Sequence, residues 1–190
     1  MNLVMRTDRL LIRPFTEDDL DISLELFTNP AVTQYADGVM SEEEILQQLP
    51  NWTKRGGNGC VGIWTITERH TSKKIGSIAL LPIPGEEDDT DYSLVVPGQM
   101  PENDIEIGYC LIPGAWVKGY ASEAVGKILS FGFTEGELDE VVATFDEEND
   151  ASRNVLTKAG FRNHGYRLCY GKQGPDYRIT RQERQDRQKP

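Results

Sequence analysis

The stretch "IEIGYCLIPGAWVKGYASEA", residues 105–124, changes its apolar period halfway along. In its first half Ile105, Ile107, Tyr109 and Leu111 alternate with Glu106, Gly108 and Cys110, the period of a strand. Pro113 stops that strand, since it has no amide to give to a ladder. Beyond Gly119 the apolar positions are Ala121, Ala124, Val125, Ile128 and Leu129, a helical spacing. No Ser, Thr, Asp or Asn stands immediately before this helix to cap it. Its first amides therefore point outward, with the positive end of the helix dipole behind them. Either water satisfies them in a plain tight turn, or an anion such as a phosphate does. Gly119 lets the backbone come close to such an anion, and Lys118 adds a cation at the rim. Neither G-x-G-x-x-G nor G-x-x-x-x-G-K-[ST] is present.

Working outward, "EVVATF" (residues 140–145) is a continuous apolar strand, and "NDASRNVLTKAGF" (149–161) is a helix that starts on Asn149 or Asp150 and stops at Gly160. "FRNHGYRLCYG" and "GPDYRITRQE" are two strands joined by a glycine-rich turn. Toward the N-terminus, "RLLIRPF" is a short strand, followed by a helix capped by Thr16 with Leu20, Leu24 and Phe27 on one face. A second helix opens on the capping box Ser41–Glu44, and Pro50 is expected to end or kink it. "CVGIWTITE" and "KIGSIALLPI" form a hairpin. The expected fold is α/β (α+β): one mixed, mostly antiparallel sheet of about seven strands with about four helices and at least one crossover. Residues 1–180 form a single domain and 181–190 a polar tail.

Composition narrows the function. The 190 residues support one well-buried core. No apolar run approaches a membrane span and the N-terminus lacks a signal-peptide core, so a cytoplasmic protein with no membrane partner is expected. Cys60, Cys110 and Cys169 are odd in number and widely spaced, which argues against a disulfide framework. A net charge of −11 argues against nucleic-acid partners and suits a cationic substrate. His70 and His164 have no partner at metal-ligand spacing, and no metal is expected.

The quoted stretch, followed by "VVATFDEENDASRNVLTKAGF", resembles the acetyl-CoA-binding half of the GNAT acetyltransferase superfamily, most of all its ribosomal-protein N-terminal acetyltransferase (Rim-type) branch. The resemblance covers residues 9–161 in element order. Val117 stands where that branch usually has glycine, and Glu148 where proline is common. The resemblance implies an N-acetyltransferase that moves an acetyl group from acetyl-CoA directly to an amine, a protein N-terminus or a small molecule, without a covalent enzyme intermediate. A GNAT-like module that binds acyl-CoA without turnover is the alternative, and either a monomer or a homodimer fits. It places the pyrophosphate on the turn, with Trp116, Val117, Lys118, Gly119, Tyr120 and Ala121 around it. The pantetheine arm pairs like an extra strand with Cys110, Leu111 and Ile112, and Asn149 meets its amides.

Transfer to an amine needs a base, charge stabilisation at the carbonyl oxygen, and a proton for the departing thiolate. Glu106 is the candidate base, on the strand beside the thioester and facing away from the apolar stripe; a surface carboxylate with a charged neighbour is the other reading, and Asp104 is the spare. Ser152 is the candidate proton donor, though Asn149 and Ser152 also suit a plain helix cap. Tyr109 reads as facing the core. The acidic run at residues 86–91, five acids in six positions, is either a solvated loop or a rim that draws cationic acceptors.

Overall fold

The computed structural model describes residues 2–36 and 38–188. Among the described residues nine strands form one sheet: β1 (Met5–Arg6), β2 (Leu10–Pro14), β3 (Arg55–Gly56), β4 (Val61–Glu68), β5 (Lys74–Pro82), β6 (Ile105–Leu111), β7 (Glu140–Ala143), β8 (Arg162–Cys169) and β9 (Lys172–Thr180). Their order is β1-β2-β4-β5-β6-β7-β9-β8, with β3 pairing beside β4. The helices are α1 (Leu20–Phe27), α2 (Glu42–Trp52), α3 (Tyr120–Thr134), α4 (Asp150–Ala159) and α5 (Arg181–Gln188). Two strands and one helix exceed the expected counts; β1 and β3 are two-residue strands too short to show a period.

The sheet is antiparallel except between β6 and β7, which run parallel through the crossover helix α3. Their pairing is confined to Glu106 opposite Val142. Beyond that point the strands part. The apolar face of α3 lies on the sheet: Ala124, Val125, Ile128 and Leu129 are completely buried. Each of the larger three stabilises the fold by about 1.5–3 kcal/mol through burial. Trp64 is buried edge-on to Phe131, and its indole N–H donates to the Leu3 carbonyl at 3.0 Å.

One local expectation needs correction and two gain detail. Leu20, Leu24 and Phe27 do share one face of α1; it is half-buried and faces α2, in a small cluster with Phe15, Ile45, Leu49 and Trp52. The main core instead takes Ile22 and Leu26, because α1 sits between the sheet and α2 and needs two apolar faces. Helix α2 runs through Pro50 to Trp52. A proline in the last turn costs one hydrogen bond, and the Trp52 ring, packed against Phe15 and Phe27, holds that turn in place. The polar C-terminal segment is helical over α5. Thr180 and Glu183 form its capping box, and Arg184 donates to the carbonyls of Ala159 and Gly126, which end α4 and run through α3.

Beneath α1, Asp19 is completely buried. It accepts from Arg13 through both oxygens (2.6 and 2.7 Å), from Thr65 Oγ1 (2.7 Å) and from the Thr16 amide (3.0 Å), and pairs with Lys74 (2.9 Å). Burial opposes its ionisation, but these donors outweigh burial and hold the carboxyl well below the usual range.

Candidate active site

The turn between β6 and α3 is built as the sequence suggests. Gly119 is left-handed (φ +79°) at the start of α3, and no side chain caps the helix. Val117 also adopts a left-handed conformation (φ +53°) and is fully exposed. Its side chain meets nothing there, so the strain is confined to the intrinsic 1–2 kcal/mol or roughly that much for a Cβ against its own carbonyl. The glycine-like path is retained with valine in it. The Trp116 indole donates to the Leu111 carbonyl at 2.7 Å, fastening the turn to the end of β6. Arg9, from the strand-side N-terminal segment, reaches the Lys118 carbonyl (2.9 Å), is paired with Glu123 (2.5 Å) and lies over the Tyr120 ring (4.6 Å). Sequence reasoning missed Arg9, because its partners lie more than a hundred residues away.

A groove of about 610 Å³ runs from this turn between β6 and α4. Of the residues expected around acetyl-CoA, Cys110, Leu111, Trp116, Val117, Gly119, Tyr120, Ala121 and Asn149 line it, as does Ser152. Ile112 and Lys118 do not. Ile112 is buried beneath the turn, its amide bonded to the Ile75 carbonyl, while Lys118 is exposed. That bond, and the one from Ile83 N to the Asp104 carbonyl, set the register of β5 against β6. Even-numbered residues of β6 therefore bond β5, and the amides of Tyr109 and Leu111 face the gap left by β7.

A second cavity of about 740 Å³ opens where β6 and β7 part. Glu106 lines it and is only 7% exposed. Its two oxygens accept from the Thr144 amide (3.2 Å) and the Tyr170 hydroxyl (2.5 Å). Burial pushes its pKa up to about 7, against the pull of Tyr170, the Thr144 amide and Arg167. Glu106 is thus no surface carboxylate. Asp104 is outside the cavity and is tied to Arg167 at 2.8 Å. Asp146, Glu147 and Glu148 form an exposed acidic wall of the cavity.

Tyr109, Ser152, Asn149 and Tyr35 line both spaces, so the groove and the cavity meet there. Tyr109 does share a face with Ile107 and Leu111, but with β7 gone that face opens toward α4. Its hydroxyl is 3.4 Å from the Ser152 carbonyl, and burial pushes the phenol up to about 12. The Asn149 side-chain oxygen accepts from the Ser152 amide at 3.0 Å, so Asn149 does cap α4. The residues at 86–91 line neither space; their loop packs behind the Tyr170–Gly171 turn, where Gly171 N donates to the Gly85 carbonyl. Among the described residues no group of His, Cys, Asp and Glu is arranged to hold a metal ion.

The acetyltransferase (GNAT) domain family matches residues 9–162 of this sequence. The uncharacterized N-acetyltransferase YnaD of Bacillus subtilis is 32% identical over 161 residues, 84% of this chain and 83% of that protein. A GNAT-family acetyltransferase of Bacillus anthracis has a similar structure, with 25% identity, a TM-score of 0.72, and 94% and 99% of the two chains covered. AAC(6')-Ib in complex with paromomycin and acetyl-CoA superposes with a TM-score of 0.75 at 18% identity, over 96% of this chain and 99% of that one.

Proposed function

This chain belongs to the acetyltransferase (GNAT) domain family, and we propose that it transfers acetyl from acetyl-CoA directly to a cationic primary amine held in the acidic cavity. One observation carries the reading. The groove from the uncapped α3 terminus and the cavity holding Glu106 meet at Tyr109 and Ser152, so donor and acceptor have separate entrances to one point. AAC(6')-Ib, a fold relative, was captured with acetyl-CoA and an aminoglycoside together.

The chemistry follows from the residues present. Acetyl-CoA supplies the activated thioester, with its pyrophosphate on the α3 amides. The Tyr109 amide, free of the β7 ladder, donates to the carbonyl oxygen as charge develops there, while the Leu111 amide, two residues farther along the strand, meets the pantetheine arm. Glu106 removes a proton from the acceptor ammonium, directly or through water, and the neutral nitrogen attacks the carbonyl carbon. A C–N bond forms and the C–S bond breaks; the departing thiolate takes a proton from a hydroxyl at the junction, and the acylated nitrogen gives up its second proton, which restores that hydroxyl. Ser152 and Tyr109 both stand there, and the phenol, the stronger acid of the two, is the better donor. A base with a pKa of about 7 is matched to neutral pH.

Either a protein N-terminus, as in the Rim-type branch, or a small polyamine fits an acidic wall at residues 146–148. An acceptor screen following free thiol release, run on peptides and small amines in parallel, separates them. Thiol release with no acceptor of either class above the blank would leave a binding module and refute the reading.

A further inference from the structure

We infer that Tyr170 is a positioning residue for Glu106, locked in place by the loop at residues 85–91. The inference rests on the proposed role of Glu106 as base. Tyr170 donates to Glu106 Oε2 at 2.5 Å, while the Thr144 amide holds Oε1. The carboxylate is therefore gripped from both sides, by a backbone donor that an ordinary side-chain change leaves in place and by a phenol that a single substitution removes. Tyr170 and Gly171 form the two-residue link between β8 and β9, with φ of +50° and +64°. Such turns favour Asn or Gly at both positions, so a tyrosine at the first needs support from outside the hairpin.

The 85–91 loop supplies it. Gly171 donates to the Gly85 carbonyl at 3.2 Å, and a Cβ on Gly171 would come within 3.0 Å of Asp88 Oδ1 and 3.3 Å of the Glu86 carbonyl. Thr90, buried in an otherwise exposed run, stands beside the Tyr170 phenol, where its hydroxyl favours the ionised form of that phenol. The tyrosine ring also packs on the cluster of Ile83, Val142 and Cys169. The acidic excursion thus acts on the site through its backbone and one threonine. Its carboxylates stay off the cavity wall.

A hydrogen bond to an ionised carboxyl favours the ionised form, so removing the phenol hydroxyl raises the pKa of Glu106. The other charged or titratable groups near Glu106 are the Arg167 guanidinium and the neutral Cys169 thiol from β8, with Asp89 behind Tyr170; on the β7 side it meets the Thr144 amide. Lys172 and the acids at 146–148 line the same cavity. All remain in Tyr170→Phe, so the difference from wild type isolates one hydroxyl.

The test has two readouts. Infrared titration of the Glu106 carboxyl, its band identified by loss in Glu106→Gln, gives the pKa without turnover; the acid limb of kcat/KM gives it through the reaction. In Tyr170→Phe both midpoints should rise by about one pH unit, lowering kcat/KM at pH 6.5 by roughly eightfold and leaving it near wild type at pH 9. Thr90→Val, which keeps Tyr170, should move both the same way by less. A Tyr170→Phe protein that melts like wild type with an unmoved carboxyl midpoint overturns the inference. A carboxyl midpoint that rises while the rate limb stays put upholds the Tyr170–Glu106 pair and refutes Glu106 as base.

Discussion

Glu106→Gln should make the protein more stable and far less active, and the two effects should share one titration. An isosteric amide can keep the acceptor contact with the Thr144 amide and still pair with Tyr170. It removes a charge from a site only 7% exposed. The carboxyl goes from 4.5 in the open chain to about 7 in the fold, mainly because burial disfavours its charged form. The folded state therefore binds more protons than the unfolded state between these values, and stability is lost as pH rises through that window. Ionising Glu106 in place costs about 3 kcal/mol by pH 8, most of it lost between pH 5 and pH 8. Urea unfolding at both pH values measures this as the difference between variant and wild type, so other carboxylates cancel. The variant should gain about 2–3 kcal/mol over wild type on going from pH 5 to pH 8. Its kcat/KM should fall by roughly 10²–10⁴-fold, with the acid limb near pH 7 gone. A stability difference independent of pH would refute the burial argument, whatever the rates show.

Gly119→Glu should abolish acetyl-CoA binding by calorimetry while unfolding stays cooperative, because a Cβ there finds open space apart from Arg9 Nη2 at 3.5 Å and the carboxylate would face the anion; unchanged affinity would remove the turn from the site. Tyr109→Phe should lower kcat by roughly 10²-fold with little change in acetyl-CoA affinity, and more than Ser152→Ala does. The reverse order of the two would return the proton to Ser152. Asp19→Asn should destabilise the fold by about 3 kcal/mol, because it strands Arg13 and Lys74, both less than a third exposed, beside a neutral group. In wild type the Asp19 contribution is fully present above the ordinary aspartate pKa and lost as pH falls from there through the depressed folded-state value, so acid unfolding of wild type and variant should converge.

Local signals carried much of this protein. The strand period of β6, the helix period of α3, the caps at Ser41 and Asn149, and the stop at Gly160 all depend on residues a few positions apart, and these stand as read. So does the uncapped start of α3, whose turn keeps its course even with valine at 117. The capping box Thr180–Glu183 was equally local and marks α5, though the charge of the segment disguised it.

What the sequence could not reveal depended on where chain segments meet. Alternation put Tyr109 on the core face correctly, but whether that face is covered depends on how far β7 runs alongside β6, and the pairing stops at Glu106 and Val142. Alternation marked Glu106 as a candidate base but not its solvation; a hairpin turn sixty-four residues on and a segment thirty-eight residues on close over it, and that burial raises its pKa against the hydrogen bonds they supply. Arg9 reached the turn across 109 residues in the same way. A residue's period and caps are set by its neighbours in the chain, so one sequence suffices to read them. Its solvation, and hence its acidity and its chemistry, is set by whatever the tertiary fold brings against it.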